Sequence, residues 1–182
     1  MSSNGNRWSD EDIRRNWEDV ETIETILAHS DFGFEERIRN ALQVLIDRSG
    51  YPIAYITHID ESTQEFQIVA DGVGIDSVRE GQSTDLSRGY CRHTIADESE
   101  LTVLRAGEEI SRSDPAFETF GFEVYVGVPL WVNGNLYGTL CVATVDPEES
   151  APSPAEKALL ELTATRLGAA FDRMEQERIA GV

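Results

Sequence analysis

Cys91 is followed at two residues by His93, with Arg92 between them, and Asp114 stands further along the chain. A thiol beside two cations is a nucleophile or redox sensor when those cations point at it and lower its pKa. If these residues border a pocket, Arg92, His93, Asp114 and the Tyr125 hydroxyl are its polar contacts, and Tyr90, Phe117 and Phe120 are its apolar walls. Plainer readings compete: Cys91 as a packed side chain, Asp114 as a turn former before Pro115, and the aromatics at 117, 120, 122 and 125 as core. Cys141 lies 50 residues from Cys91 and reads as a strand residue. Neither cysteine has the spacing of a structural zinc site, so no metal is expected. His29 falls at a helix end, where an imidazole meets the dipole favourably. His58 alternates into a strand beside Asp60 and is expected to face solvent or a hydrogen-bond partner.

The elements that must position these groups are readable from period and punctuation. Ser9 with Asp12 forms a capping box, and Ile13, Trp17, Val20, Ile23 and Leu27 recur at helical spacing, predicting a helix from about 10 to 28. A second helix follows Asp31 or Gly33, with Ile38, Leu42, Leu45 and Ile46 on one stripe and Gly50 at its end. The runs 52–59 and 66–70 read as an antiparallel hairpin. Residues 71–87 read as a loop, 87–97 as a short helix, 101–104 as a brief strand and 105–120 as a polar segment broken at Asp114-Pro115. Asn133-Gly134 between two apolar runs is a type I′ hairpin turn. Counting outward from it predicts Val132 opposite Asn135, Leu130 opposite Tyr137, Val128 opposite Thr139 and Val126 opposite Cys141. Ser153-Pro154-Ala155-Glu156 starts a last helix reaching about residue 178.

Both faces of the 124–145 hairpin are mostly apolar, so both must be covered. Helices cover one, leaving the irregular stretches 71–99 and 105–121 for the other. The last helix carries a second apolar line, Leu159, Leu162, Ala169 and Ala170, beside its main stripe. Long amphipathic helices at both ends of the chain suggest a dimer bundle, or else simply a cover for the sheet.

The chain has 182 residues, 34 acidic against 15 basic, 14 of the latter arginine. One folded domain with short extensions is expected. A net charge of -19 argues against direct nucleic-acid binding, which needs clustered cations. Such an acidic, lysine-poor surface suits a salt-rich cytoplasm, where screening shrinks to about 3 Å at molar salt. No apolar run reaches membrane-spanning length and the first residues are polar, so a cytoplasmic protein with reduced thiols is expected.

The runs Tyr90-Cys91-Arg92-His93-Thr94-Ile95, Asp114-Pro115-Ala116-Phe117, Tyr125-Val126-Gly127-Val128-Pro129-Leu130 and Asn133 to Val142 resemble those of a GAF domain, over about residues 34–176. The resemblance implies an α+β fold: a profilin-like antiparallel sheet of five or six strands, helices on one face and a lidded small-molecule pocket on the other. It implies residues 1–30 as an N-terminal signalling or dimerisation helix, 31–178 as the GAF domain and 179–182 as a tail. The function implied is non-catalytic sensing or regulation, through a homodimer, an unidentified small ligand and a partner or fused output domain such as a kinase or transcription regulator. Bilin-binding relatives attach their chromophore to a cysteine usually followed directly by histidine; here Arg92 intervenes. Alternatives within the same fold are an oxidoreductase resembling free methionine sulfoxide reductase, with Cys91 as nucleophile, and a dimerisation module whose pocket is filled by its own side chains.

Overall fold

The computed structural model describes residues 9–71, 75–96, 101–147 and 149–181. The elements run α1 (Asp10–Ala28), α2 (Phe34–Ser49), β1 (Ile53–Asp60), β2 (Thr63–Asp71), β3 (Ser83–Asp85), α3 (Cys91–Ala96), β4 (Thr102–Arg105), α4 (Pro115–Phe120), β5 (Val124–Val132), β6 (Asn135–Thr144) and α5 (Pro154–Ile179). The strands form one sheet in the order β3-β2-β1-β6-β5-β4, with every pair antiparallel.

Local chemistry accounts for the helix ends. Ser9 and Ser153 each close a capping box, with Asp12 and Glu156 respectively, and Gly50 takes the left-handed conformation that ends α2. Asn133 and Gly134 both have positive φ, 50° and 74°, as a type I′ turn requires. Two elements escaped the sequence reading. β3 lies in the segment read as loop and is three residues long, too short to show a period. The polar segment before Gly121 holds α4, for which Asp114 is the N-cap, its side chain accepting from the Ala116 N–H.

Two apolar layers sandwich the sheet. On one face, α1, α2 and α5 cover Ala54, Ile56, Val124, Val126, Val128, Leu130, Leu140 and Val142. On the other, Ile53, Tyr55, Phe66, Tyr125, Cys141 and Ala143 lie under Val78, Tyr90, Cys91, Ile110, Ala116, Phe120 and Phe122. The expected division of labour between helices and irregular stretches therefore holds. Residues 72–74 and 97–100, which the sequence assigned to those stretches, lie outside the described residues.

The register of the hairpin does not follow the simple count. Val132 pairs with Asn135 and Trp131 with Leu136, but Leu130 pairs with Gly138, Val128 with Leu140 and Gly127 with Cys141. Tyr137 has no partner opposite it and is a β-bulge. A one-residue slip turns every later side chain over, so Thr139 and Cys141 face the α3/α4 layer rather than the helices. A second bulge interrupts β1–β2, where Ile56 pairs with Ile68 and Thr57 with Phe66, leaving Gln67 as the extra residue.

α1 and α5 run side by side: the Asn16 side chain donates to the Ala155 carbonyl at 2.9 Å, and Glu24 meets Arg166 at 2.5 Å. Both contacts advance along the two chains together, so the helices are parallel. Gly168 lets α5 descend onto β5, since a Cβ there would lie 2.2 Å from the Trp131 carbonyl oxygen. Of the second apolar line on α5, Leu159 and Ala170 are buried within the chain, Leu162 is half-buried and Ala169 is exposed.

Candidate functional site

The residues singled out from the sequence converge on the face opposite the long helices, but they divide into two sets. Tyr90, Cys91, Phe120 and Tyr125 are buried core residues. Tyr90 stacks on Phe122 and Tyr125, with ring centroids 5.3 and 5.1 Å apart, and Phe120 stacks on Phe122 at 5.8 Å. Tyr55 and Phe66 extend the cluster edge-on. These rings occupy the space between the sheet and the α3/α4 layer, where an open pocket was expected.

Arg92, His93, Asp114 and Phe117 form the outer set. Arg92 donates to the Asp114 carboxylate and, at 2.9 Å, to the Gly89 carbonyl. This charge-assisted contact latches α3 to the start of α4. Burial works against the Asp114 charge, but the Ala116 N–H and the Arg92 guanidinium prevail and hold its pKa below the usual value. His93 Nε2 lies 3.6 Å from the same carboxylate and has no hydrogen-bond partner among the described residues. Burial first, then the Arg92 charge, lower the His93 pKa from 6.5. The ring is neutral at neutral pH, and the approach to Asp114 is not an ion pair. Phe117 is half-buried, with the Arg112 guanidinium 5.4 Å from its centroid.

Beneath α3 the polar groups form a closed cluster. The Tyr125 hydroxyl lies 2.7 Å from Thr94 Oγ1, 3.2 Å from Cys141 Sγ and 3.7 Å from Cys91 Sγ. Cys91 Sγ is also 3.1 Å from Thr139 Oγ1, which is 2.6 Å from Thr57 Oγ1. Gly127 makes this cluster possible, because a Cβ there would lie 2.2 Å from the Tyr125 hydroxyl oxygen and 2.6 Å from Thr94 Oγ1. Both cysteines are free and buried. Burial opposes ionisation of Cys91, yet hydrogen bonds from Cys141, Thr139, Tyr125 and Thr57 outweigh it and lower the thiol's pKa. Cys141 moves well up, through burial and then its contact with Cys91. Arg92 and His93, the cations that sequence proximity suggested as activators, point to Asp114 instead.

The sequence reading missed Thr57, Thr139 and Cys141 as partners of Cys91, and Thr94 as the partner of Tyr125. The uncounted bulge at Tyr137 hid Thr139 and Cys141, and the strand–helix pairing that supplies Thr57 and Thr94 has no local signature. Among the described residues, no group of three or more His, Cys, Asp and Glu is placed to hold a metal ion. No described helix is long and apolar enough to cross a membrane.

Solved structures share this architecture at low identity. The phycoerythrobilin-bound GAF domain of a cyanobacterial phytochrome aligns with TM-score 0.72 and 12% identity, covering 91% of this chain and 99% of that one. Free methionine-R-sulfoxide reductase from Neisseria meningitidis, in complex with its substrate, aligns with TM-score 0.70 and 16% identity over 93% and 95%. The GAF domain of Acinetobacter phosphoenolpyruvate-protein phosphotransferase aligns with TM-score 0.64 and 17% identity over 96% and 99%. Comparison with curated protein sequences gives no match. The sheet order, the helices on one face and a GAF domain family model matching residues 33–171 agree, and the chain belongs to the GAF domain family.

Proposed function

We propose that this chain is a non-catalytic sensory or regulatory module, in which the α3/α4 layer is the responsive face and the terminal helices carry its state onward. The observation that most supports this reading is the division of the sheet: a latched lid on one face, and on the other α1 and α5 lying parallel in one layer. Movement of β5 or β6 reaches α5 directly, because Gly168 seats that helix on the Trp131 carbonyl. The lid residues Tyr90 to His93, Asp114, Phe117 and Phe120, with Tyr125 of β5 beneath them, are the proposed ligand-responsive set, their rings filling the space until a small molecule displaces them. In this reading residues 1–30 are the signalling segment, 31–178 the sensor and 179–182 the tail.

The relay runs through a homodimer to a partner or fused output domain, a kinase or transcription regulator, in a salt-rich cytoplasm. Ile13 and Trp17, one turn apart on α1 and 41% and 56% exposed, are the proposed dimer contacts. Light scattering at high salt should find a dimer that Trp17→Glu converts to a monomer. A monomeric wild type overturns the dimeric relay.

The cysteine pair favours a second reading, as a reductase. Cys91 would attack a sulfoxide sulfur and take its oxygen as a sulfenic acid, releasing the thioether, and Cys141 would then displace that oxygen as water to form a disulfide, so that two thiols and one sulfoxide give one disulfide, one thioether and one water. In the leading reading, a thiol-dependent methionine sulfoxide assay stays at background. Turnover that Cys91→Ser abolishes would establish the reductase instead.

A further inference from the structure

The two β-bulges place their extra residues at one spot. Gln67 of β2 and Tyr137 of β6, neither with a partner opposite it in its strand pair, meet on the helix-covered face, where the Tyr137 hydroxyl donates to Gln67 Oε1 at 3.1 Å. They border a cleft of about 490 Å³, walled also by the start of α2, the β5–β6 turn and the C-terminal half of α5. Bulges re-aim side chains and gather beside binding sites.

The side chains around the cleft describe its occupant. Four rings run in series: His58 against Tyr137 at 4.6 Å, Tyr137 against Phe171 at 5.1 Å, and Phe171 edge-on to Phe34 at 5.1 Å. Arg37 already covers a face of Phe34, with its guanidinium carbon 5.8 Å from the centroid, so His58, Tyr137 and Phe171 are the rings left to meet a guest. The charged residues lining the cleft are Glu35 and Glu175, with no lysine or arginine among the lining residues. Glu175 is paired with Arg178, whereas Glu35 makes no ion pair among the described residues. Aromatic faces beside a carboxylate that makes no ion pair among the described residues suit a positive charge spread over an apolar surface.

We propose that this cleft binds a small alkylammonium cation, with Tyr137 and Phe171 on its methyl groups and Glu35 supplying the counter-charge. The site lies on the opposite face of the sheet from the lid and does not depend on the sensory reading, since binding is measured directly and not through dimerisation or turnover. A guest here touches α5 near its C-terminal end.

The test is calorimetric titration of the full chain with choline and with 3,3-dimethylbutan-1-ol, its uncharged isostere, at matched ionic strength. The expected result is one site per chain with choline about tenfold the tighter, the scale of a desolvated cation–π contact assisted by a carboxylate. Glu35→Gln should weaken choline severalfold and leave the alcohol unchanged. Tyr137→Leu, checked for folding by circular dichroism, should remove the preference for the cation. Glu21→Gln, on α1 away from the cleft, should change neither. Absence of choline binding, equal affinity for the two probes, or equal losses in Glu35→Gln and Glu21→Gln would each overturn the proposal, the last by showing only diffuse attraction to an acidic surface.

Discussion

Removing the Tyr125 hydroxyl probes the attachment of the lid to the sheet. Tyr125→Phe keeps the ring, which is fully buried, and deletes the oxygen that lies 2.7 Å from Thr94 Oγ1 on α3 and 3.2 Å from Cys141 Sγ on β6. A net hydrogen bond is worth about 1 kcal/mol, and stranding a buried partner adds a penalty, so a loss of about 2 kcal/mol is expected. For a domain of this size that lowers Tm by roughly 4–8 °C. Thr94→Val strands the opposite partner and should cost a similar amount. The double variant removes both ends and should be little worse than either single, because replacing both partners with apolar groups is nearly neutral. Two-state denaturation of the four proteins at high salt gives the cycle, and amide exchange of α3 should quicken in the singles. Strict additivity, or singles within about 0.5 kcal/mol of wild type, would refute the claim that this bond ties the lid to the sheet.

Gly138→Ala would set a Cβ 1.8 Å from the Thr57 carbonyl oxygen, on backbone that pairs β1 with β6, and should cost about 3 kcal/mol or more by urea denaturation; a loss below about 1 kcal/mol would contradict the close approach. Burial moves Tyr55 and Tyr125 well above 10 and Tyr51 to about 12, while unfolded tyrosines ionise near 10. The native state then holds the extra protons, so this stability is complete below about pH 10 and is lost as pH rises toward the native values; an urea midpoint unchanged between about pH 9 and 11 would refute it. On the acid side, Asp114 is lowered from 3.8 and His93 from 6.5. Their contributions are present above those values and lost as pH falls through the native ones, so Asp114→Asn should flatten the decline below about pH 4.

Much of the architecture is local in origin, and so was legible. The capping boxes at Ser9 and Ser153, the Asn133-Gly134 turn and the helical stripes of α1, α2 and α5 depend on residues three or four apart, or on backbone conformations that few residue types adopt. The two-sided apolar hairpin likewise implied a sheet covered on both faces, and the candidate residues from Tyr90 to Tyr125 do gather on one of them. Uncharged from Val124 to Val145, that hairpin leaves the acidic residues to other elements.

The site's chemistry was settled at longer range. Alternation is a rule about neighbours, and one unpaired residue, Tyr137, reverses its outcome for the rest of β6, bringing Cys141 to Cys91. Proximity in sequence suggested Arg92 and His93 as partners of that thiol, yet the helical turn at Cys91–Ala96 directs them outward to Asp114, while hydroxyls from β1, β5 and β6 enclose the sulfur. Whether the space beneath the lid stood open depended on how Tyr55, Phe66, Tyr90, Phe120, Phe122 and Tyr125 stack together, which no single segment encodes. The helical spacing of Ile13, Trp17 and Leu27 predicted α1, but its packing parallel to α5 rests on contacts more than a hundred residues apart in sequence. Short-range periodicity specifies elements and their faces; bulges and long-range packing specify which faces meet.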